Sequence, residues 1–175
     1  MSILIVDDSQ EQRELLALIL KTAGYRSLLF TESAEEALNR LGIGADPRPS
    51  ERIDVVLMDF LMPGMDGLEA CRRIRAEEGL KHLPVIVVTA KTEPPDLIDA
   101  YTAGATDYIR KPVIPMELVA RVSMAMTMKE EFDNLEESEH ELEVKTKELT
   151  RTVDELKTLR GTLCLCAKCK RVRIT

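Results

Sequence analysis

Five residues carry the side chains from which this sequence could build a reactive site: Asp7, Asp8, Asp59, Thr89 and Lys111. Each stands at or just beyond the end of a short apolar run. Ile3-Leu4-Ile5-Val6 ends in Asp7-Asp8, and the run from Asp54 to Met58 ends in Asp59. Val85-Ile86-Val87-Val88 ends in Thr89, and Asp107-Tyr108-Ile109 runs on to Lys111. Each residue has an ordinary reading by itself. Asp7 and Asp8 can cap a helix, Asp59 and Asp66 can shape a turn, Thr89 can fill a strand and Lys111 can lie on the surface. Taken together, those readings need several coincidences. Three converging carboxylates repel one another and are tolerable only beside a divalent cation or a positive side chain. All-oxygen ligation favours Mg2+ or a similar hard ion. The Lys111 ammonium and the Thr89 hydroxyl complete a set suited to a phosphoryl group, whose transfer rests on positioning and charge neutralisation. A carboxylate can itself accept that group as an acyl phosphate.

The elements that must position these residues are legible as alternating periods. The runs at 3–6, 54–58 and 85–88 are almost continuously apolar, as in parallel strands covered on both faces. Ser27-Leu28-Leu29-Phe30 and the short Asp107-Tyr108-Ile109 complete five strands. Helical spacing fills the gaps. Ser9 can cap a helix with Leu15, Leu16, Ile19 and Leu20 on one face, and Ser33 with Glu36 has the form of a capping box. Leu68, Cys71 and Ile74 follow Asp66-Gly67, Pro94-Pro95 can open a helix carrying Leu97, Ile98 and Tyr101, and Pro115 can open a fifth with Leu118, Val119 and Val122 inward. The order predicts a five-stranded, doubly wound parallel α/β sheet. Ligands bind such sheets at the carboxyl ends of the strands, where the five residues stand. Residues 42–52 are read as a surface insertion.

LIVDDS at 4–9, LMDFLMPGMDG at 57–67, VVTA at 87–90 and DYIRKP at 107–112 resemble the receiver domain of two-component response regulators. The resemblance implies a flavodoxin-like fold over residues 1–125. It implies that Asp59 is the phosphoacceptor for a phosphohistidine of a sensor histidine kinase or phosphotransfer protein. It implies that Asp8, Asp59 and the backbone carbonyl of Leu61 ligate Mg2+, with Asp7 acting mainly through water. Lys111 is implied to pair with the acid and then with the phosphoryl group. Thr89 and Tyr108 are implied to be a switch pair, the threonine moving to the phosphoryl oxygen and the ring turning inward, although a tyrosine here can also be ordinary surface. The Lys111-Pro112 bond is implied to be cis. The resemblance also implies that the positions two residues after the acceptor and two after the threonine, Leu61 and Lys91, tune the lifetime of the phosphate. An apolar Leu61 cannot orient an attacking water.

From about Lys129 the chain loses proline and glycine, and leucines recur at 135, 142, 149, 156 and 163. This seven-residue period predicts a parallel, two-stranded coiled coil over 126–163 and hence a homodimer. A solvated single helix is the alternative. Unbroken from Pro115 to Leu163, the helix would run roughly 70 Å. Residues 164–175 form a basic tail with Cys164, Cys166 and Cys169, read as the start of an output region, and three cysteines in one chain do not close a four-ligand zinc site.

The net charge of −7 over 175 residues argues against a nucleic-acid or membrane-surface binder. No run approaches the roughly 20 apolar residues that span a bilayer. Four cysteines with no export signal predict a cytoplasmic protein with reduced thiols. Two other functions compete. A haloacid-dehalogenase-type phosphatase also uses an aspartyl nucleophile with Mg2+, but carries a second acid where this chain has Leu61. A dimerising scaffold that is never phosphorylated would have no need of the complete acid, threonine and lysine set.

Overall fold

The structure, a computed structural model, describes residues 2–44, 52–90, 93–165 and 172–174. Five strands, β1 (Ser2–Val6), β2 (Ser27–Thr31), β3 (Val55–Asp59), β4 (Val85–Thr89) and β5 (Asp107–Arg110), alternate with five helices. These are α1 (Gln10–Thr22), α2 (Ala34–Arg40), α3 (Gly67–Ala76), α4 (Pro94–Thr102) and α5 (Pro115–Thr162). The sheet is wholly parallel in the order β2-β1-β3-β4-β5. The order reverses between β1 and β3, the point at which a doubly wound sheet opens a crevice at its carboxyl edge.

Side chains alternate between two cores with the period of two that a strand imposes. Leu4, Val6, Val56, Met58, Val85 and Val87 pack with residues of α2, α3 and α4. Ile3, Ile5, Val55, Leu57, Ile86, Val88 and Ile109 pack with Leu16 and Leu20 of α1 and Leu118 and Val122 of α5. Cover on both faces is why these strands read as unbroken apolar runs.

The helix starts follow local chemistry. The Ser9 hydroxyl accepts from Gln12 N–H at 3.4 Å, Ser33 from Glu36 N–H at 3.2 Å, and Asp66 Oδ1 from Glu69 N–H at 2.7 Å. The second arm of the expected capping box differs: Glu36 Oε2 accepts from the backbone of Glu32, not of Ser33. Two helix faces also differ from the expected ones. The buried stripe of α1 is Arg13, Leu16, Ala17 and Leu20, and Leu15, one step out of phase, is 42 % exposed. On α4 the buried residue among those described is the small Ala100, and Ile98 and Tyr101 are exposed.

Two compact units divide after Phe132. In the second, α5 runs on to Thr162 and two short strands, β6 (Leu163–Leu165) and β7 (Val172–Ile174), pair antiparallel. Leu163, the fifth leucine of the heptad series, therefore lies in a strand rather than in the helix. Leu135, Leu142, Leu149 and Leu156 are each more than half exposed. Lys145 pairs with Glu141, and Arg151 with Glu155, one helical turn apart. Cys166, Cys169 and most of the 42–52 segment lie outside the described residues. Among those described, no helix is long and apolar enough to cross a membrane.

Candidate functional site

Strand phase brings the acids together. Ile3 and Ile5 face α1 and α5, and Asp7 continues that series past the end of β1; Val55 and Leu57 do the same for Asp59, and Ile109 for Lys111. The ends of β1, β3 and β5, with β4 between the last two, thus aim polar groups at one point. Oxygens of Asp7, Asp8 and Asp59 lie within 4.8 Å of one another. Lys111 Nζ lies 2.9 Å from Asp7 Oδ2 and 3.1 Å from Asp59 Oδ2, bridging β1 and β3 from β5. Asp7 is 1 % and Asp59 7 % exposed, whereas Asp8 is open to solvent. Asp7 Oδ1 also accepts from Ser9 N–H at 2.9 Å, two residues on, while the cap of α1 is Ser9 itself.

The loop after Asp59 is tied back onto the strand that carries it. Gly67 N–H donates to the Phe60 carbonyl at 3.0 Å. A Cβ at Gly67 would overlap the Asp59 carbonyl oxygen and lie 3.1 Å from Met58 Cγ, so only glycine fits. The middle of the loop is held from α2, where Glu35 Oε1 accepts from Met65 N–H at 3.2 Å. Between these ties Phe60 and Met62 are buried and Leu61 is exposed.

Burial pushes the Asp59 carboxyl above the ordinary aspartate range. The hydrogen bond and charge of Lys111 pull it down, and the neighbouring Asp7 pushes it up again. Burial alone would lower Lys111, but its hydrogen bonds to Asp7 and Asp59 and their charges outweigh that and raise it. The lysine therefore stays charged, and one ammonium does not fully offset what surrounds Asp59. Three oxygen donors around such a point, with charge still to be neutralised, fit a hard divalent cation.

Thr89 ends β4, buried, and its carbonyl accepts from Lys111 N–H at 2.7 Å. Tyr108 is half-buried, edge-on to Tyr101 with ring centroids 6.0 Å apart. The guanidinium groups of Arg110 and Arg121 lie 5.9 and 5.7 Å from its ring centre. Lys111-Pro112 is cis. Lys91 lies outside the described residues.

Sequence reasoning passed over Arg13, which is buried and donates to the Asp7 carbonyl at 2.6 Å. Its signal was present: Arg13 falls in the apolar stripe of α1, three residues before Leu16. It also passed over Arg121, whose Nη1 contacts both oxygens of Asp107 at 2.6 Å.

Among known proteins, the chain is 38 % identical over 125 residues to the phosphate regulon transcriptional regulatory protein PhoB of Pseudomonas aeruginosa, covering 71 % of this chain and 51 % of that one. It is 33 % identical over 156 residues to the DNA-binding response regulator MtrA of Mycobacterium tuberculosis, covering 88 % and 64 %. The chain thus spans about half to two thirds of the length of these relatives. A crystal structure of a putative response regulator from Chloroflexus aurantiacus superposes with a TM-score of 0.65 at 36 % identity, covering 72 % of this chain and 97 % of that one. The family model of the response regulator receiver domain matches residues 3–123, and with the sheet order and the acid cluster in place the chain belongs to that family.

Proposed function

We propose that Asp59 accepts a phosphoryl group from a phosphohistidine of a sensor histidine kinase or phosphotransfer protein, and that the change passes through α5 to a coiled-coil homodimer and its output or partner. The observation that carries this reading is the placement of Lys111 Nζ within 3.1 Å of Asp59 and 2.9 Å of Asp7, with Asp8 in the same cluster. An Asp59 oxygen attacks phosphorus; the P–O bond forms as the P–N bond breaks, and the imidazole leaves with the electron pair. Lys111 then shares its charge between Asp7 and the phosphoryl oxygens. Asp8, Asp59 and the Leu61 carbonyl are the groups that would hold Mg2+, with Asp7 acting through water, and the bound ion supplies charge neutralisation for the phosphoryl oxygens. Thr89, one strand over, donates its hydroxyl to the phosphoryl group, and Tyr108 changes its exposure in response.

The exposed leucines of α5 support dimerisation, because a helix with such a stripe is stabilised by burying it against a second copy. Self-dephosphorylation is slow, since Leu61 offers no hydrogen bond to a water.

The test is labelling with acetyl phosphate, read by intact mass. One phosphoryl group should be added to the wild-type chain only with Mg2+, and none to Asp59→Asn. Labelling that is unchanged by the substitution, or no labelling of the wild-type protein, would overturn the reading.

A further inference from the structure

Arg13 sits on α1 in line with Leu16, Ala17 and Leu20, and is 8 % exposed. A buried guanidinium is destabilising unless its donors are matched. Here Nη1 donates to the Asp7 carbonyl at 2.6 Å and Nη2 to Glu32 Oε1 at 2.7 Å. That carbonyl belongs to the peptide unit that joins Asp7 to Asp8. The preceding peptide is held too, since Asp7 N–H donates to the Thr31 carbonyl at 3.3 Å. The Asp7 carboxylate is fixed by Ser9 N–H and Lys111. Asp8 is open to solvent, so its direction depends on the peptide before it. If that peptide rotated, the Asp8 carboxylate would leave Asp7 and Asp59. The planar fork of arginine, bonded at both ends, resists such rotation better than a single ammonium.

We propose that Arg13 is a positioning residue for the acid pair: by holding the Asp7–Asp8 peptide it keeps the Asp8 carboxylate turned toward Asp7 and Asp59, so that a divalent cation meets a preformed cluster. This rests on the reading of the cluster as a Mg2+ site. Arg13 acts through the backbone, from the side of α1.

The experiment is a calorimetric Mg2+ titration of the full chain, alongside thermal unfolding. Arg13→Met keeps the stem and removes the fork, and should weaken Mg2+ binding about tenfold, as loss of a group that orients a metal ligand does. Arg13→Lys keeps the charge but cannot span both acceptors, and should lie between, about threefold weaker. Leu20→Ala opens a cavity in the same helix away from the acids; it should lower stability and leave Mg2+ affinity unchanged. If Arg13→Met does not fold, Arg13→Lys decides. Arg13 variants that bind Mg2+ as the wild type does would overturn the proposal, as would an equal loss of affinity in Leu20→Ala. A wild-type chain that binds no Mg2+ would instead overturn the cluster reading and this proposal with it.

Discussion

Replacing Asp59 by asparagine should make the receiver more stable in the absence of divalent cations. Lys111 at 3.1 Å attracts the carboxylate by ~5 kcal/mol at an effective dielectric of about 20. Asp7 and Asp8, with oxygens within 4.8 Å, each repel it by ~3.5 kcal/mol on the same scale. Asp8 is open to water, and halving its repulsion for screening brings the charge balance close to zero. Burial of Asp59 then decides the sign, because a carboxylate 7 % exposed has lost most of its hydration. Asparagine keeps an acceptor for Lys111 and sheds the charge, and Lys111 keeps Asp7 at 2.9 Å. The expected gain is about 1 kcal/mol, or about 3–4 °C in Tm for a domain of this size. Saturating Mg2+ should reverse the order, since ligand at a hundredfold its Kd adds about 2.7 kcal/mol to the form that binds it. The pH dependence has a fixed sign. The carboxyl of Asp59 is raised, so its favourable contribution is present below the ordinary aspartate pKa and lost as pH rises through the folded value. The advantage of asparagine should therefore be full at neutral pH and close as pH falls through that folded value. Thermal unfolding with EDTA, then with Mg2+, across pH reads all three. A less stable Asp59→Asn in EDTA at neutral pH would refute the reasoning.

Gly67→Ala drives a methyl into the Asp59 carbonyl and should lower stability by about 1–3 kcal/mol, read by urea unfolding, while slowing acetyl phosphate labelling. Leu61→Asn supplies a polar group two residues past the acceptor and should shorten the lifetime of the phosphorylated chain; wild-type loss of phosphate within seconds would contradict this. Leu142→Asp places a charge in the exposed leucine row and should convert a dimer to a monomer by sedimentation equilibrium, and a wild-type chain already monomeric would exclude the coiled coil.

The strands and the convergence of the acids were legible because they depend on local rules. A strand covered on both faces is apolar throughout, and parallel strands put their carboxyl ends on one edge, so residues ending separate runs could be grouped before any contact was seen. What was not legible depends on what lies opposite. Leu15 has the same type as Leu16, yet one step of about 100° around the helix puts it outside the stripe. On α4 the larger Ile98 and Tyr101 look like the inner face, but the helix packs through Ala100. Arg13 was hidden because a charged residue in an apolar stripe reads as an interruption, whereas both its acceptors come from strand ends distant in sequence or from the backbone. The heptad count extended to Leu163 because spacing alone does not register where the helix stops.

The charges of the cluster also say where a signal would start. Three carboxylates against one ammonium leave a formal −2, which a divalent cation cancels. A phosphoryl group on Asp59 replaces one negative charge by about two. The site then carries about one uncompensated negative charge, and Lys111 is the cation already shared between two of its acids. Drawing Lys111 toward the phosphoryl oxygens loosens its hold on Asp7, and Lys111 stands between the end of β5 and Pro115, the first residue of α5. Its backbone N–H is also bonded to the Thr89 carbonyl, so the ends of β4 and β5 shift together. Amide hydrogen exchange should therefore change across residues 107–118 when beryllofluoride, a phosphoryl mimic, is added with Mg2+. Change confined to the loop after Asp59, with β5 and the start of α5 unaltered, would show that Lys111 moves without carrying the backbone.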